Sequence, residues 1–379
     1  MDVLAEILLR MDPEDVKSFK STTYEMQYFI EEVEKDQEYW RKKLSSYLGF
    51  EVSQRNEGES WRKMYENVVN ADKNPYKIIE FDYAEILGGL IRDGFDPSDE
   101  KNSAIILASR LGKTEIVKLL LEDERVDPAA DDNAPIYWAS KNGHVEVVKL
   151  LLSEEEKVDP SDQDNQAIQA ASENGHLEVV KLLLKDPNVD PAEERNWPIR
   201  VASEKGYYDI VKLLLQDSRV NPNDDNNYAI RYASGKGHMD VVKLLLKDPR
   251  VNPRALDNDA ISQASEGGHL EVLKLLLNDP RINKFNYNGN LALQLAAKKG
   301  HVNVLKFLLE DQRLYRLDDD DENSSILQAA RNGHVEVVKL LLADPRTPII
   351  SPEIIEKTSE GGRTQLVKLF LEFNEKQLK

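Results

Sequence analysis

Eight glycines punctuate this chain at intervals of 31 to 33 residues: Gly112, Gly143, Gly175, Gly206, Gly237, Gly268, Gly300 and Gly333. All six histidines of the protein directly follow one of them: His144, His176, His238, His269, His301 and His334. A unit of that length is one supersecondary module that cannot bury its apolar face alone. Neighbouring units must stack, so most of the chain is expected to form a solenoid.

The other columns of the repeat say what each module is. Ten residues before the glycine stands an asparagine in every unit, from Asn102 to Asn323. Seven before it is isoleucine (leucine at Leu293), and four before it is always alanine, from Ala108 to Ala329. These spacings put Ile and Ala on one face of a short first helix. Pro135 and Pro198 fit its first turn, where no amide partner is lost. The asparagine then lies just outside the helix, in a turn or near the cap. The glycine ends the first helix in a left-handed conformation. A second helix follows with an apolar run such as Val179-Val180 and Leu182-Leu183-Leu184, and its invariant lysine faces solvent. Asp-Pro pairs such as Asp186-Pro187 and Asp248-Pro249 stop it. The connector after them is turn-rich and could form a hairpin-like finger, less regular than the helices.

The string Asn174–Leu184, Asn-Gly-His-Leu-Glu-Val-Val-Lys-Leu-Leu-Leu, resembles the second-helix signature of ankyrin repeats. The resemblance runs from about Tyr76 to the C-terminus and implies an all-α ankyrin solenoid of about eight full repeats plus caps. The family's usual T-P-L-H start of the first helix is replaced, for example by Gln166-Ala167-Ile168-Gln169. The hydrogen bonds of that missing histidine then fall to the asparagine column. The units run about two residues short of 33, which places the deficit in the finger. At the ends, Tyr83–Asp93 reads as a second helix with no first helix before it. Gly361-Gly362-Arg363 stands in place of Gly-His, and Leu366–Leu371 reads as a last helix followed by a charged tail.

The first 75 residues lack the repeat. Val3, Leu4, Ile7, Leu8 and Met11 recur at helical spacing, and Asp12-Pro13-Glu14-Asp15 opens a fresh helix. Val16, Phe19, Met26, Phe29, Ile30 and Val33 continue the stripe, and Tyr39, Trp40 and Leu44 close a three-helix pattern. Trp61–Tyr65 reads as a bridging helix after a polar turn at Arg55–Glu59. The order Leu4-Ala5-Glu6-Ile7-Leu8, Met11–Val16 and Trp40-Arg41 resembles an F-box. That resemblance implies docking on a Skp-family adaptor of a cullin–RING ubiquitin ligase, with Leu4, Ile7, Leu8, Pro13 and Val16 as adaptor contacts. The expected organisation is 1–48 F-box-like domain, 49–75 bridging segment and 76–379 solenoid with caps. A head-plus-array layout resembles proteins of large DNA viruses, amoebae and intracellular bacteria, which implies a cytoplasmic or nuclear place of action in a host.

Composition narrows the partners. A formal net charge of −19 argues against nucleic acid and anionic membranes, whose phosphates would be repelled. No cysteine is present, which removes disulfides and thiolate chemistry. No signal peptide and no stretch of apolar residues long enough to span a bilayer is visible. The histidines fall one per repeat, a row that cannot converge on one tetrahedral zinc ion; each ring is expected to bond to a neighbouring turn. Asp318–Asp321 lacks the spacing of a calcium loop and reads as a solvated finger. No nucleophile elbow, phosphate loop or zincin motif appears, so neither enzyme activity nor a cofactor is expected.

The variable columns point to binding. Positions nine, six and five before the glycine lie on or near the first helix, on the concave face of an ankyrin array. They carry Tyr137, Trp138, Trp197, Arg200, Tyr228, Arg231 and Tyr232. Aromatics and arginine most often dominate binding energy. Trp138 and Tyr232 are equally compatible with burial between repeats. The expected function is a monomeric, non-enzymatic recognition protein. Either the solenoid holds a target while the head engages an adaptor, or the head only caps a plain scaffold or decoy.

Overall fold

The computed structural model describes residues 37–154, 156–282, 289–310 and 324–378. Leu4, Ile7, Leu8, Pro13, Val16 and Asp318–Asp321 lie outside them. Every regular element among the described residues is a helix. The chain divides into two compact units, Met1–Val189 and Asp190–Lys379.

In the first unit, helix Gln37–Leu48 packs on helix Trp61–Asn70. The rings of Trp40 and Tyr65 lie 5.4 Å apart, with Leu44, Met64 and Val68 buried beside them. The Ser60 hydroxyl caps the second helix by accepting the Lys63 amide at 3.1 Å. The segment between them is strapped to the repeats. Ser53 and Gln54 donate backbone N–H groups to the Glu85 carboxylate at 2.9 and 2.8 Å, and Phe50 lies so close to Gly89 that a Cβ there would meet its ring. Tyr83 donates to Glu59 at 2.6 Å and accepts from Asn67 at 2.9 Å.

Tyr83–Asp93 is not a lone second helix. A short helix, Pro75–Glu80, precedes Ala84–Arg92. It is started by Asn74, whose side chain accepts the Tyr76 and Lys77 amides, and by Pro75 with its preset φ. Three helix pairs follow: Asp99–Leu111 with Thr114–Leu121, Ala130–Lys141 with Val145–Leu152, and Asp162–Glu173 with Leu177–Leu183. First helices pack on first helices, and second on second. The shared seam is the one the columns specify. Ile105, Ala108, Ile136, Ala139, Ile168 and Ala171 are buried from the first helices, and Val147, Val148 and Leu151 from a second.

The second unit repeats the plan from Glu193–Lys205 with Tyr208–Leu214, through Asp224–Gly235 with Met239–Lys247 and Ala255–Glu266 with Leu270–Leu277. Gly289–Lys299 with Val302–Leu309 and Ser325–Arg331 with Val335–Ala343 complete it. The terminal pair is Pro352–Glu360 with Thr364–Gln377. That last helix runs six residues past Leu371, through what reads as a charged tail. Leu366 and Phe370 are buried on its inner side, and Leu371 and Leu378 are exposed.

The connectors are irregular, as expected, and make no hairpin; no strand occurs among the described residues. In six repeats the chain instead makes three consecutive left-handed residues ending on the asparagine, as at Glu194, Arg195 and Asn196 with φ of 50°, 57° and 58°. Left-handed residues cost about 1–2 kcal/mol each, least for asparagine. The asparagine column recovers part of that cost, because its side chain takes the amide a hairpin would otherwise pair. Asn102 accepts from the Asp127 amide at 2.8 Å, Asn133 from Asp159 at 2.9 Å and Asn227 from Asn252 at 2.6 Å. In each case the acceptor belongs to one repeat and the donor to the next.

Candidate interaction surface

Three polar columns fix the repeats against one another and so decide which side chains remain for a partner. The histidines form the first. Each Nε2 sits 2.8–3.0 Å from a backbone carbonyl of the preceding repeat, two residues before its glycine: His144 on Arg110, His238 on Glu204, His269 on Gly235 and His301 on Glu266. A carbonyl only accepts, so Nε2 carries the hydrogen. Burial pushes the His269 pKa below its ordinary value, which favours this neutral donor. Each ring also packs closely against the glycine of the preceding repeat; a Cβ on Gly143 would sit 2.4 Å from the Nδ1 of His176. The imidazoles are therefore committed to structure, as the one-per-repeat spacing implies. Among the described residues no cluster of side chains suited to a metal ion occurs. At the C-terminal cap Arg363 takes the histidine's place and donates to the Arg331 carbonyl at 3.4 Å.

The second column is asparagine, described above. The third escaped the sequence reading. After several second helices an Asp-x-Arg triplet closes into a bidentate pair, and the arginine then reaches back one repeat. Arg250 holds Asp248 at 2.7 Å and donates to the carbonyls of Val220 and Leu215 at 2.8 and 3.1 Å. Arg281 holds Asp279 and donates to Val251 and Leu246 at 2.9 and 2.7 Å. Arg346 holds Asp344 and donates to Leu309 at 2.7 Å. The hydrogen bonds from Arg281 hold the Asp279 carboxyl below its ordinary pKa. The recurring Asp-Pro-Arg string was the available signal; its second half carries the latch.

The seven candidate contact residues are all half-buried. In the first unit Tyr137 and Trp138 meet edge to face at 5.2 Å. The Lys141 ammonium lies 5.5 and 5.0 Å from their rings, and Arg110 lies 5.9 Å from Trp138. In the second unit the other five form one stack. The Arg200 guanidinium lies 5.4 Å from the Trp197 ring and 4.6 Å from the Tyr228 ring. Tyr228 stacks on Tyr232 at 3.8 Å and 13°, and Arg231 lies 5.5 Å from Tyr232. Both guanidiniums are paired: Arg200 with Asp225 at 3.1 Å and Arg231 with Asp259 at 2.8 Å, with side chains only 12% and 11% exposed. The Tyr228 hydroxyl donates to Glu204 at 2.5 Å. Burial, and then that bond, raise its pKa well above the usual phenol value.

A family model described as ankyrin repeats (3 copies) matches residues 77–164, 156–226, 199–286 and 261–349. The chain belongs to the ankyrin-repeat family. No curated protein matches it. Ankyrin repeats are protein-interaction modules, which implies an interaction role for this array. No helix among the described residues is long and apolar enough to cross a membrane.

Proposed function

We propose that this chain is a recognition protein that performs no chemistry of its own, and that its ankyrin array binds a target protein through the first helices of residues 190–379. One observation carries the reading: Tyr228 stacks on Tyr232, and the Arg200 guanidinium joins Trp197 to that pair. Arg200 and Arg231 lie against the rings, and Asp225 and Asp259 tie those arginines down. Rings held this way lose little rotamer entropy when a partner covers them. Large amphipathic rings are also the commonest binding anchors. The arginines act as pins rather than as reaching contacts.

The test is affinity capture with the full chain, read by mass spectrometry. A protein retained by the wild type is expected to be lost tenfold or more with Trp197→Ala at unchanged thermal stability. It should be kept with Tyr228→Phe, which removes only the bond to Glu204. Capture indifferent to Trp197→Ala would place the binding face elsewhere.

The likeness of residues 1–48 to an F-box extends the proposal. Leu4, Ile7, Leu8, Pro13 and Val16 would engage a Skp-family adaptor, and the held target would be ubiquitinated by other subunits. Adaptor and cullin are then expected to co-purify with the wild type and to vanish with Leu8→Asp, while target capture persists. A wild-type complex without adaptor would leave a plain ankyrin scaffold.

A further inference from the structure

The second unit contains its own model of a ligand. Arg200 and Arg231 both stand six residues before their glycine. Each lies against an aromatic ring, pairs with a carboxylate of the following repeat, and donates to carbonyls of its own left-handed turn. Arg200 reaches the carbonyls of Glu194 and Arg195, both at 3.4 Å. Arg231 reaches those of Asn226 and Asp225 at 3.0 and 3.3 Å. In the first unit the Gly175 repeat does the same with a shorter group: Gln169 donates to the Asp164 carbonyl at 2.6 Å.

The Gly143 repeat has the turn but not the donor. Asp131, Asp132 and Asn133 take the same left-handed conformation, φ 53°, 55° and 60°. The position that holds arginine elsewhere is Tyr137, whose hydroxyl accepts from Lys141 instead, at 3.2 Å. What remains is an open notch of about 250 Å³, lined among others by Asp131, Asp132, Tyr137, Trp138, Asp162 and Gln163. No lysine or arginine lines it. Its carboxylates receive only neutral donors: Asp162 accepts from Asn133 at 2.9 Å and from the Gln163 amide at 2.7 Å, and Asp132 accepts from the Gln163 side chain at 3.1 Å. None of them is in an ion pair among the described residues, and Lys141 lies over the two rings.

We propose that this notch takes an arginine side chain of the bound protein. Turn carbonyls, aromatic rings and carboxylates are the kinds of group that Arg200 and Arg231 engage from within the chain; here the carboxylates are Asp131, Asp132 and Asp162, and Gln163 and Gln166 stand where Asp225 and Asp259 stand in the second unit. A planar guanidinium with five donors fits that set; a lysine ammonium has fewer donors and no flat face to lay on a ring. The inference rests on the reading that the array binds protein, and it names the partner chemistry: an exposed arginine on an uncharged or basic segment.

The experiment uses the full chain labelled with 5-fluorotryptophan, its four indole resonances assigned by single Trp→Phe variants. N-acetyl-arginine amide, N-acetyl-lysine amide and N-acetyl-citrulline amide are titrated at constant ionic strength. A saturable shift of the Trp138 resonance is expected with arginine, at least threefold weaker affinity with lysine, and no shift with citrulline. Trp197, already covered by Arg200, should not respond. Tyr137→Arg, which supplies the missing side chain from within, should abolish the arginine shift and leave the thermal midpoint equal or higher. The paired change Asp131→Asn with Asp132→Asn should weaken binding without filling the notch, and it stands in if the first variant does not fold. No saturable Trp138 shift, an equal shift with citrulline, or arginine binding unchanged in the variants would overturn the proposal. Target capture through Trp197 is measured separately, so the two readings fail separately.

Discussion

Gly237→Ala is expected to destabilise the Asp190–Lys379 unit by about 2–4 kcal/mol, a loss far above that of an ordinary surface substitution. Two causes add. Gly237 has a φ of 79°, and an L-residue other than glycine costs about 1–2 kcal/mol there. Its Cβ would also lie 2.4 Å from Nδ1 and 2.6 Å from Cε1 of His269. The ring cannot yield without breaking its bond to the Gly235 carbonyl, worth about 1 kcal/mol. The thermal midpoint should fall by roughly 5–10 °C for a unit of this size. Two further variants separate the causes. Gly237→Asn tolerates the left-handed backbone but keeps the clash. His269→Ala removes the clash, so Gly237→Ala should cost less in that background than alone. Strict additivity of the two changes would show that the ring and the glycine do not act on each other.

The same pair explains which parts of this molecule were legible in the sequence. Glycine, histidine, asparagine, isoleucine and alanine each recur in register, so their shared geometry could be read from spacing alone. The stacking seam and the structural role of the imidazoles follow directly. Side chains whose partner changes from repeat to repeat left no such trace. Arg200 and Arg231 read as free contact residues because they occupy variable columns. Their fates are set by Asp225 and Asp259, 25 and 28 residues further on and in different columns of the repeat. Only the stacked geometry brings those pairs together. The ends were misread for a related reason. Pro75–Glu80 is too short to show a period, and its signal was the Asn74-Pro75 pair. Glu372, Glu375 and Lys376 read as a tail by composition, yet they are the solvated side of the helix that buries Leu366 and Phe370. The hairpin was read from a turn-rich connector, and left-handed turns with asparagine side-chain bonds took its place.

Asn196 gathers these devices into one residue, which makes it the sharpest probe of the connector. It is 4% exposed with φ of 58°. Its Oδ1 accepts the Asn221 amide at 2.6 Å, and its Nδ2 donates to Asp224 at 2.9 Å. Asn196→Ala removes both bonds, strands a buried amide and places alanine in left-handed backbone. The expected cost is about 3 kcal/mol, summed from about 1 for the backbone and about 1 for each lost bond. Asn196→Gly should recover the backbone part alone. Asn196→Asp is the informative case. It keeps the acceptor for Asn221 but sets a second carboxylate where Nδ2 met Asp224. Two carboxylates at that distance cannot both ionise cheaply, so one acquires a raised pKa in the folded state. The folded form then binds more protons than the unfolded one, and stability must fall as pH rises through the carboxylate range. Denaturant unfolding at pH 4.5 and 7.5 reads this directly. Asn196→Asp is expected to approach the wild type at the lower pH and to lose most at the higher. A loss independent of pH would mean that the second hydrogen bond to Asp224 does not couple these two repeats.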